Sequence, residues 1–330
     1  MNDTELKERI ITLKNKLDVS IVAHFYQKDE VFELADYVGD SLQLAQWAAH
    51  DKNPYLVFCG VGFMGQSVKI LAPNKRVFMP KIACCAMARM IDVDYFDANV
   101  KLLNDAGIAR TDILPVTYIN SSAEVKARVG MMDGYVCTSS NAKKIIAKAL
   151  ESNKKILFVP DRCLGQNIAH EMGLKSCVVG DGSDPKEFDI LCYNGFCSVH
   201  QLFDVEDIAF FREKYPDILI VTHPECKPEV CALSDFVGST SQIIDYVKSL
   251  PLSQKVAVGT EYNMVKRLRQ ENTYVLSSSK PECPTMNETT LQDVYNTLLS
   301  IQEKRFENEI SISEQTQEWA FKALNRMFEL

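Results

Sequence analysis

Several features that would narrow the function quickly are missing from this 330-residue chain. No segment sustains the roughly 18 apolar residues needed to span a bilayer. Met1 to Asp18 is charged and helix-compatible and lacks the apolar core of a secretory signal, so the expected location is cytoplasmic, with no membrane partner. There is no C-x-x-C pair among the 11 cysteines. The closest separations are the adjacent Cys84 and Cys85, Cys192 to Cys197, and Cys226 to Cys231, which argues against a zinc ribbon. Positive charge is also short: 36 Lys and Arg face 44 Asp and Glu, a net of −8. Nucleic acid, which is bound chiefly through excess Lys and Arg, is therefore not an expected partner. A small anionic substrate is still compatible with that balance.

What is present describes a globular body. The composition, 46% hydrophobic and 24% charged, is ordinary for a packed chain. Eleven cysteines without a secretory signal fit free thiols or metal ligands in a reducing compartment better than a disulfide framework.

A four-part pattern then runs through the chain three times. Its first segments are Ile21-Val-Ala-His24-Phe-Tyr26, Pro115-Val-Thr-Tyr118-Ile-Asn120 and Ile220-Val-Thr-His223-Pro-Glu225, apolar runs that end in chemically capable side chains. The second segments are Val38-Gly-Asp-Ser41, Val136-Cys-Thr-Ser139 and Val237-Gly-Ser-Thr240. The third are Leu56-Val-Phe-Cys-Gly60, Leu157-Phe-Val-Pro-Asp161 and Val256-Ala-Val-Gly-Thr260-Glu261, and the passes close at Cys84-Cys85, Cys197 and Cys283.

Short apolar runs at 20–25, 55–59, 112–118, 155–159, 218–222 and 255–258 read as strands buried on both faces. Helices are expected over Glu33–Ala49, Ala123–Val129, Asn141–Leu150, Val205–Lys214 and Ser241–Leu250, and Leu291–Leu330 also reads as helix. The fold class is α/β: three similar three-layer α/β/α domains with short parallel sheets of about four strands, related by pseudo-threefold symmetry. The domains run over 1–107, 108–199 and 200–330, the last carrying the C-terminal helices. No low-complexity linker separates them, which favours tight packing.

Ligands of open α/β sheets bind beyond the carboxyl ends of the strands. That edge carries His24, Tyr26, Tyr118, Asn120, His223 and Glu225. Ser41, Ser139 and Thr240 fall where helices begin, and helix N-termini attract anions. A single such hydroxyl would be read as an N-cap; its recurrence in three units points to anion binding. Cys59, Cys137 and Cys163 sit in apolar settings typical of small buried hydrophobes. Cys85, Cys197 and Cys283 lie instead in polar or Gly/Pro-containing loops, one per unit.

These ordered motifs resemble the quinolinate synthases, iron–sulfur enzymes of de novo NAD biosynthesis. The resemblance rests on His24-Phe-Tyr26-Gln, Gly39-Asp-Ser41, Gly60-Val-Gly-Phe-Met64, Tyr118-Ile-Asn120-Ser, Cys137-Thr-Ser139-Ser-Asn, Gly195-Phe-Cys197-Ser-Val-His200, His223-Pro-Glu225-Cys, Gly238-Ser-Thr240-Ser, Gly259-Thr-Glu261 and Cys283-Pro-Thr-Met. It implies three α/β domains around a central [4Fe–4S] cluster held by Cys85, Cys197 and Cys283. The family's Cys-x-Met-Ala pattern selects Cys85, whereas spacing to the following Met aligns Cys84 with Cys283. The resemblance further implies condensation of iminoaspartate with dihydroxyacetone phosphate to quinolinate, phosphate and water, with functional coupling to an iminoaspartate-producing enzyme. On this reading Glu225 is the leading general base, with His223 beside it, and His24 and Tyr26 handle protons or position substrate. Tyr118, Asn120, Ser41, Ser139 and Thr240 hold phosphate and carboxylates, and His200 supports the cluster ligand Cys197.

Two other classes are open at this point. Gly60-Val-Gly62-Phe-Met-Gly65 matches G-x-G-x-x-G, the signature of a nicotinamide-dependent dehydrogenase, but no Asp or Glu lies between Gly65 and Asp92 to meet a ribose. A non-catalytic iron–sulfur regulator accounts for the thiols, but leaves the polar strand ends and helix-start hydroxyls without a purpose.

Overall fold

Parallel strands covered by helices on both faces must be apolar throughout, and β1 (Val19–His24) obeys this with all six side chains buried. The computed structural model describes residues 2–269 and 271–329. The first sheet adds β2 (Tyr37–Gly39), β3 (Tyr55–Cys59) and β4 (Arg76–Phe78), in the order β2-β1-β3-β4. The second comprises β5 (Ile113–Tyr118), β6 (Tyr135–Cys137), β7 (Lys155–Val159), β8 (Ser176–Val178) and β9 (Ile190–Cys192), in the order β6-β5-β7-β9-β8. The third, of β10 (Leu219–Thr222), β11 (Phe236–Val237), β12 (Val256–Gly259) and β13 (Thr273–Val275), repeats the first as β11-β10-β12-β13. Every strand pair is parallel, and the leading strand of each unit pairs on both sides in the same way: Val22 with Tyr37 and Val19 with Tyr55, Val116 with Tyr135 and Ile113 with Lys155, Val221 with Phe236 and Leu219 with Val256. The three α/β/α units expected from the sequence are therefore present, and each strand foreseen there lies within one residue of its expected ends.

Two expected helices differ. Glu33–Ala49 is not one helix: a turn Asp29–Phe32 leads into β2, and the helix proper is Ser41–His50. The Asp36 carboxylate accepts the backbone N–H of Ile21 at 2.8 Å, tying this segment to β1 before a helix can pass through it. Leu291–Leu330 is likewise broken, into Leu291–Gln302 and Glu314–Asn325. Lys304, Phe306 and Asn308 adopt positive φ, which no helix tolerates, and Glu309 pairs with Phe78 at the edge of the first sheet. The C-terminal helices, grouped by sequence with the third unit, pack elsewhere. Leu291–Gln302 lies on the N-terminal helix Asp3–Leu17, and Glu314–Asn325 on the helices Ala123–Met131 and Gly62–Leu71. The chain's end thereby clasps its first two units. Among the described residues no helix is long and apolar enough to cross a membrane.

Candidate functional site

In the first and third units the leading strand ends in the same local device. The backbone N–H of Tyr26 donates to Nδ1 of His24 at 3.2 Å, and that of Glu225 to Nδ1 of His223 at 3.3 Å. An Nδ1 that accepts a backbone proton cannot carry its own, so the hydrogen bonds assign the ring proton of both histidines to Nε2. Burial lowers the pKa of His24 to about 4 and of His223 to about 3, so each is a neutral N–H donor at pH 7. In the second unit Tyr118 takes the histidine's place in the pattern, with Asn120 two residues on.

These ends meet in one buried hydrogen-bonded chain. Tyr118 Oη donates to Glu225 Oε1 at 2.6 Å, and His200 Nδ1 stands 2.9 Å from Glu225 Oε2. His200 Nε2 is 3.0 Å from Thr260 Oγ1, which is 3.0 Å from Tyr26 Oη, which in turn is 3.0 Å from Thr240 Oγ1. Burial by itself would raise the Glu225 carboxyl, but His223, His200 and the Tyr118 hydroxyl together hold it below the ordinary range, and it is ionised at neutral pH. Burial pushes Tyr26 and Tyr118 well above the usual phenol range, so both act as neutral donors. With the carboxylate as terminal acceptor, protons point one way along the chain, from Thr240 through Tyr26, Thr260 and His200 to Glu225.

The helix-start hydroxyls are not caps. Asp40 caps the helix Ser41–His50 through the N–H groups of Leu42 and Gln43, and Ser239 caps Thr240–Ser249 through that of Gln242. Ser41 and Thr240 each follow a cap, and Ser139 precedes the helix Ala142–Leu150, leaving all three to line the cavity. The second oxygen of Asp40 accepts from Ser140 Oγ at 3.3 Å and Ser241 Oγ at 2.7 Å, so one carboxylate gathers the helix starts of three units.

The cysteine loops share a second device. The N–H of Gly62 donates to Ala83 O, that of Arg162 to Gly195 O and that of Tyr262 to Pro281 O, at 2.8, 2.9 and 2.9 Å. In each case the acceptor lies two residues before Cys85, Cys197 or Cys283. Four residues after each cysteine, the N–H of Arg89, Gln201 or Asn287 closes a turn onto that cysteine's carbonyl, at 3.1, 3.2 and 3.1 Å. Cys84 has no part in this repeat as the leading thiol and is exposed. Cys85, Cys197 and Cys283 all line one cavity, together with His24, Tyr26, Ser41, Tyr118, Asn120, Ser139, His200, His223, Glu225 and Thr240. The sulfur of Cys197 and donor atoms of His200 and Glu225 lie within 4.8 Å of one another.

The family model described as "NadA: Quinolinate synthetase A protein" matches residues 8–329. The chain belongs to the quinolinate synthase family. It is 54% identical over 334 residues to the quinolinate synthase of Helicobacter pylori strain ATCC 700392 / 26695, covering 99% of both chains. It is 38% identical to that of Streptomyces coelicolor over 352 residues, covering all of this chain and 89% of the relative, and 38% identical to that of Bacillus mycoides over 348 residues, covering 100% and 94%. The protein is thus an enzyme of the quinolinate synthase kind, not a dehydrogenase. Its G-x-G-x-x-G run follows β3, where the Gly62 N–H is already bonded to Ala83 and Phe63 and Met64 face the cavity.

Every site residue foreseen in the sequence lines this one cavity. Three contributions went unread there. His200 touches Glu225 directly instead of only flanking a thiol. Thr260 links it to Tyr26; its position just past β12, where the other strands also deliver polar groups, was the available signal. Asn167 donates to the carbonyls of Pro224 and Cys226 at 2.8 and 2.9 Å, fixing the loop that carries Glu225, and nothing in its helical context announces this.

Proposed function

We propose that this chain condenses iminoaspartate with dihydroxyacetone phosphate to form quinolinate, releasing phosphate and two waters, with Cys85, Cys197 and Cys283 holding a [4Fe–4S] cluster. The donor set fits such a group: three thiols from three sheets share one cavity, Cys197 feels both Cys85 and Cys283, and all three are delivered by the same backbone device. Burial pushes the Cys85 thiol up to about 12 and raises the other two, so the sulfurs stay protonated until a cation is bound. Held by these three thiolates, a four-iron cluster would supply a Lewis acid toward a substrate hydroxyl or carboxylate.

The chain's own residues supply the remaining parts. Glu225, ionised and within hydrogen-bond reach of Tyr118 and His200, takes protons from carbon or hydroxyl and returns them. The line through His200, Thr260 and Tyr26 carries a proton between Glu225 and the far side of the cavity. His24 and His223 present Nε2–H donors to carboxylates or carbonyl oxygens, and their neutrality keeps them from acting as strong acids. Ser41 and Ser139 offer hydroxyls to phosphate near helix starts and Asn120 an amide, while Thr240, whose hydroxyl proton points to Tyr26 in the resting chain, turns that proton to an anion only by giving up this bond.

The observation that carries this reading is that an ionised carboxylate and three thiols open into one cavity whose lining also carries the neutral donors His24, Tyr118 and His223. The test is anaerobic purification, assay of iron and sulfide, and detection of quinolinate after adding both substrates. Iron-loaded protein that forms no quinolinate from them would overturn it.

A further inference from the structure

Lys126 lies near the start of the helix Ala123–Met131 with its side chain fully buried. Its Nζ turns back toward the helix start, as side chains on a helix do, and donates to the carbonyl of Ile119 at 2.8 Å and to that of Ser121. It also stands 5.5 Å from the centre of the Phe63 ring.

A positive charge is unfavourable there on three counts. Burial strips its hydration and lowers its pKa to about 7, with Glu124 opposing this only through space. The helix N-terminus repels cations. Among the described residues no carboxylate hydrogen-bonds to it, and an aliphatic side chain of similar length would fill the space without these penalties. The two carbonyls and the ring face offset part of the cost. An anion in the neighbouring cavity would offset more: Ile119, Asn120 and Phe63 all line it, and among the described residues its lining contains no Lys or Arg.

We infer that Lys126 is a positioning residue for the reaction: it clamps the backbone on both sides of Asn120 and sets a positive charge one layer behind the wall of a cavity that takes multiply anionic molecules. This rests on the proposed reading of the cavity as the site of quinolinate formation. It accounts for how an acidic protein holds a substrate bearing phosphate and another bearing two carboxylates with no cation in the lining itself.

Two variants separate charge from clamp. Lys126→Gln keeps N–H donors and removes the charge; Lys126→Met removes both. In anaerobically purified, iron-loaded enzyme, calorimetry gives the affinity for pyridine-2,3-dicarboxylate and for the singly charged pyridine-2-carboxylate, and assays give KM and kcat. The Gln variant should lose about tenfold more affinity for the dicarboxylate than for the monocarboxylate, with KM rising more than kcat falls. The Met variant should weaken both ligands further. Equal losses for the two ligands in the Gln variant, or unchanged affinities in both variants, would overturn the inference; if the Met protein does not fold, the Gln variant decides alone. Wild-type enzyme that makes no quinolinate removes the reading and the inference together, whereas normal wild-type turnover with unaffected variants removes the inference only.

Discussion

Tyr118 and Glu225 meet across two sheets, the phenol donating to the carboxylate at 2.6 Å. A carboxylate that accepts from a neutral phenol on one oxygen and from an imidazole on the other is both oriented and kept ionised. Glu225→Gln preserves the shape and removes the charge. Turnover should fall by about 10²–10⁴-fold, the usual share of a general base, while iron and sulfide contents stay at wild-type levels. Near-normal kcat in a cluster-replete Gln variant would take Glu225 out of the chemistry.

Thr260 has no other hydrogen bond in its side chain than those to His200 and Tyr26 among the described residues. Replacing it with Val keeps the volume and cuts the line between the two. If the line carries protons, kcat drops about tenfold or more while KM changes little, because the loss falls on a step after binding. Steady-state kinetics decide this; an unchanged kcat would mean that Tyr26 and His200 act independently.

How much of this was legible in sequence depends on the range of the forces involved. Strand cores such as Ile21-Val-Ala and Ile220-Val-Thr are set by local burial, and their polar ends mark the functional edge directly. The break at Asp36 was not legible, because it depends on a side chain capping Ile21 from 15 residues away. Thr260 and Asn167 were missed for the same reason: their partners are distant in sequence, and Tyr26, Pro224 and Cys226 are brought to them by the packing of one unit on another. Adjacent cysteines could not be told apart by spacing, but a backbone hydrogen bond repeated in three units can tell them apart.

Neutral histidines make the metal-free protein acid-sensitive. An unfolded imidazole takes a proton near 6.5, whereas folded His24 resists until about 4 and His223 until about 3. Below 6.5 the unfolded state therefore binds more protons, and stability present above that pH is lost as it falls toward 4 and below. Glu225, held low, adds a loss of the same sign at still lower pH. A tenfold difference in proton affinity between the folded and unfolded states is worth about 1.4 kcal/mol, so the loss amounts to several kcal/mol. Urea unfolding across this range should show a steep decline in wild type and a shallower one in His24→Asn; matching slopes would show that His24 charges freely when folded.

Gly130 sets how closely the C-terminal helix approaches. A Cβ there would sit 2.0 Å from the carbonyl oxygen of Trp319. Within an isolated helix, Gly to Ala would add about 1 kcal/mol of stability. The overlap reverses the sign, because the helices Ala123–Met131 and Glu314–Asn325 must move apart, and overpacking typically costs about 1–3 kcal/mol. Gly130→Ala should lower the unfolding midpoint accordingly. A midpoint that is unchanged or higher would mean that the two helices do not pack this closely in solution.

The pair Cys84–Cys85 gives the sharpest test of the three-unit architecture. Adjacent side chains in extended backbone point in opposite directions, and here Cys85 lines the cavity while Cys84 is exposed. The repeated hydrogen bonds set Cys85 in the same backbone position as Cys197 and Cys283: Ala83, Gly195 and Pro281 accept equivalent N–H groups two residues before them. Single Ala changes at these three positions should each abolish quinolinate formation and strip or destabilise the iron–sulfur absorption, since two protein thiolates leave two irons without a protein ligand. Cys84→Ala, made and assayed without oxygen, should keep iron, sulfide and turnover. Loss of the cluster in Cys84→Ala together with its retention in Cys85→Ala would move the first ligand by one residue and break the backbone equivalence. A full, active cluster after loss of Cys197 or Cys283 would do greater damage, removing the reason for three sheets to converge on one cavity.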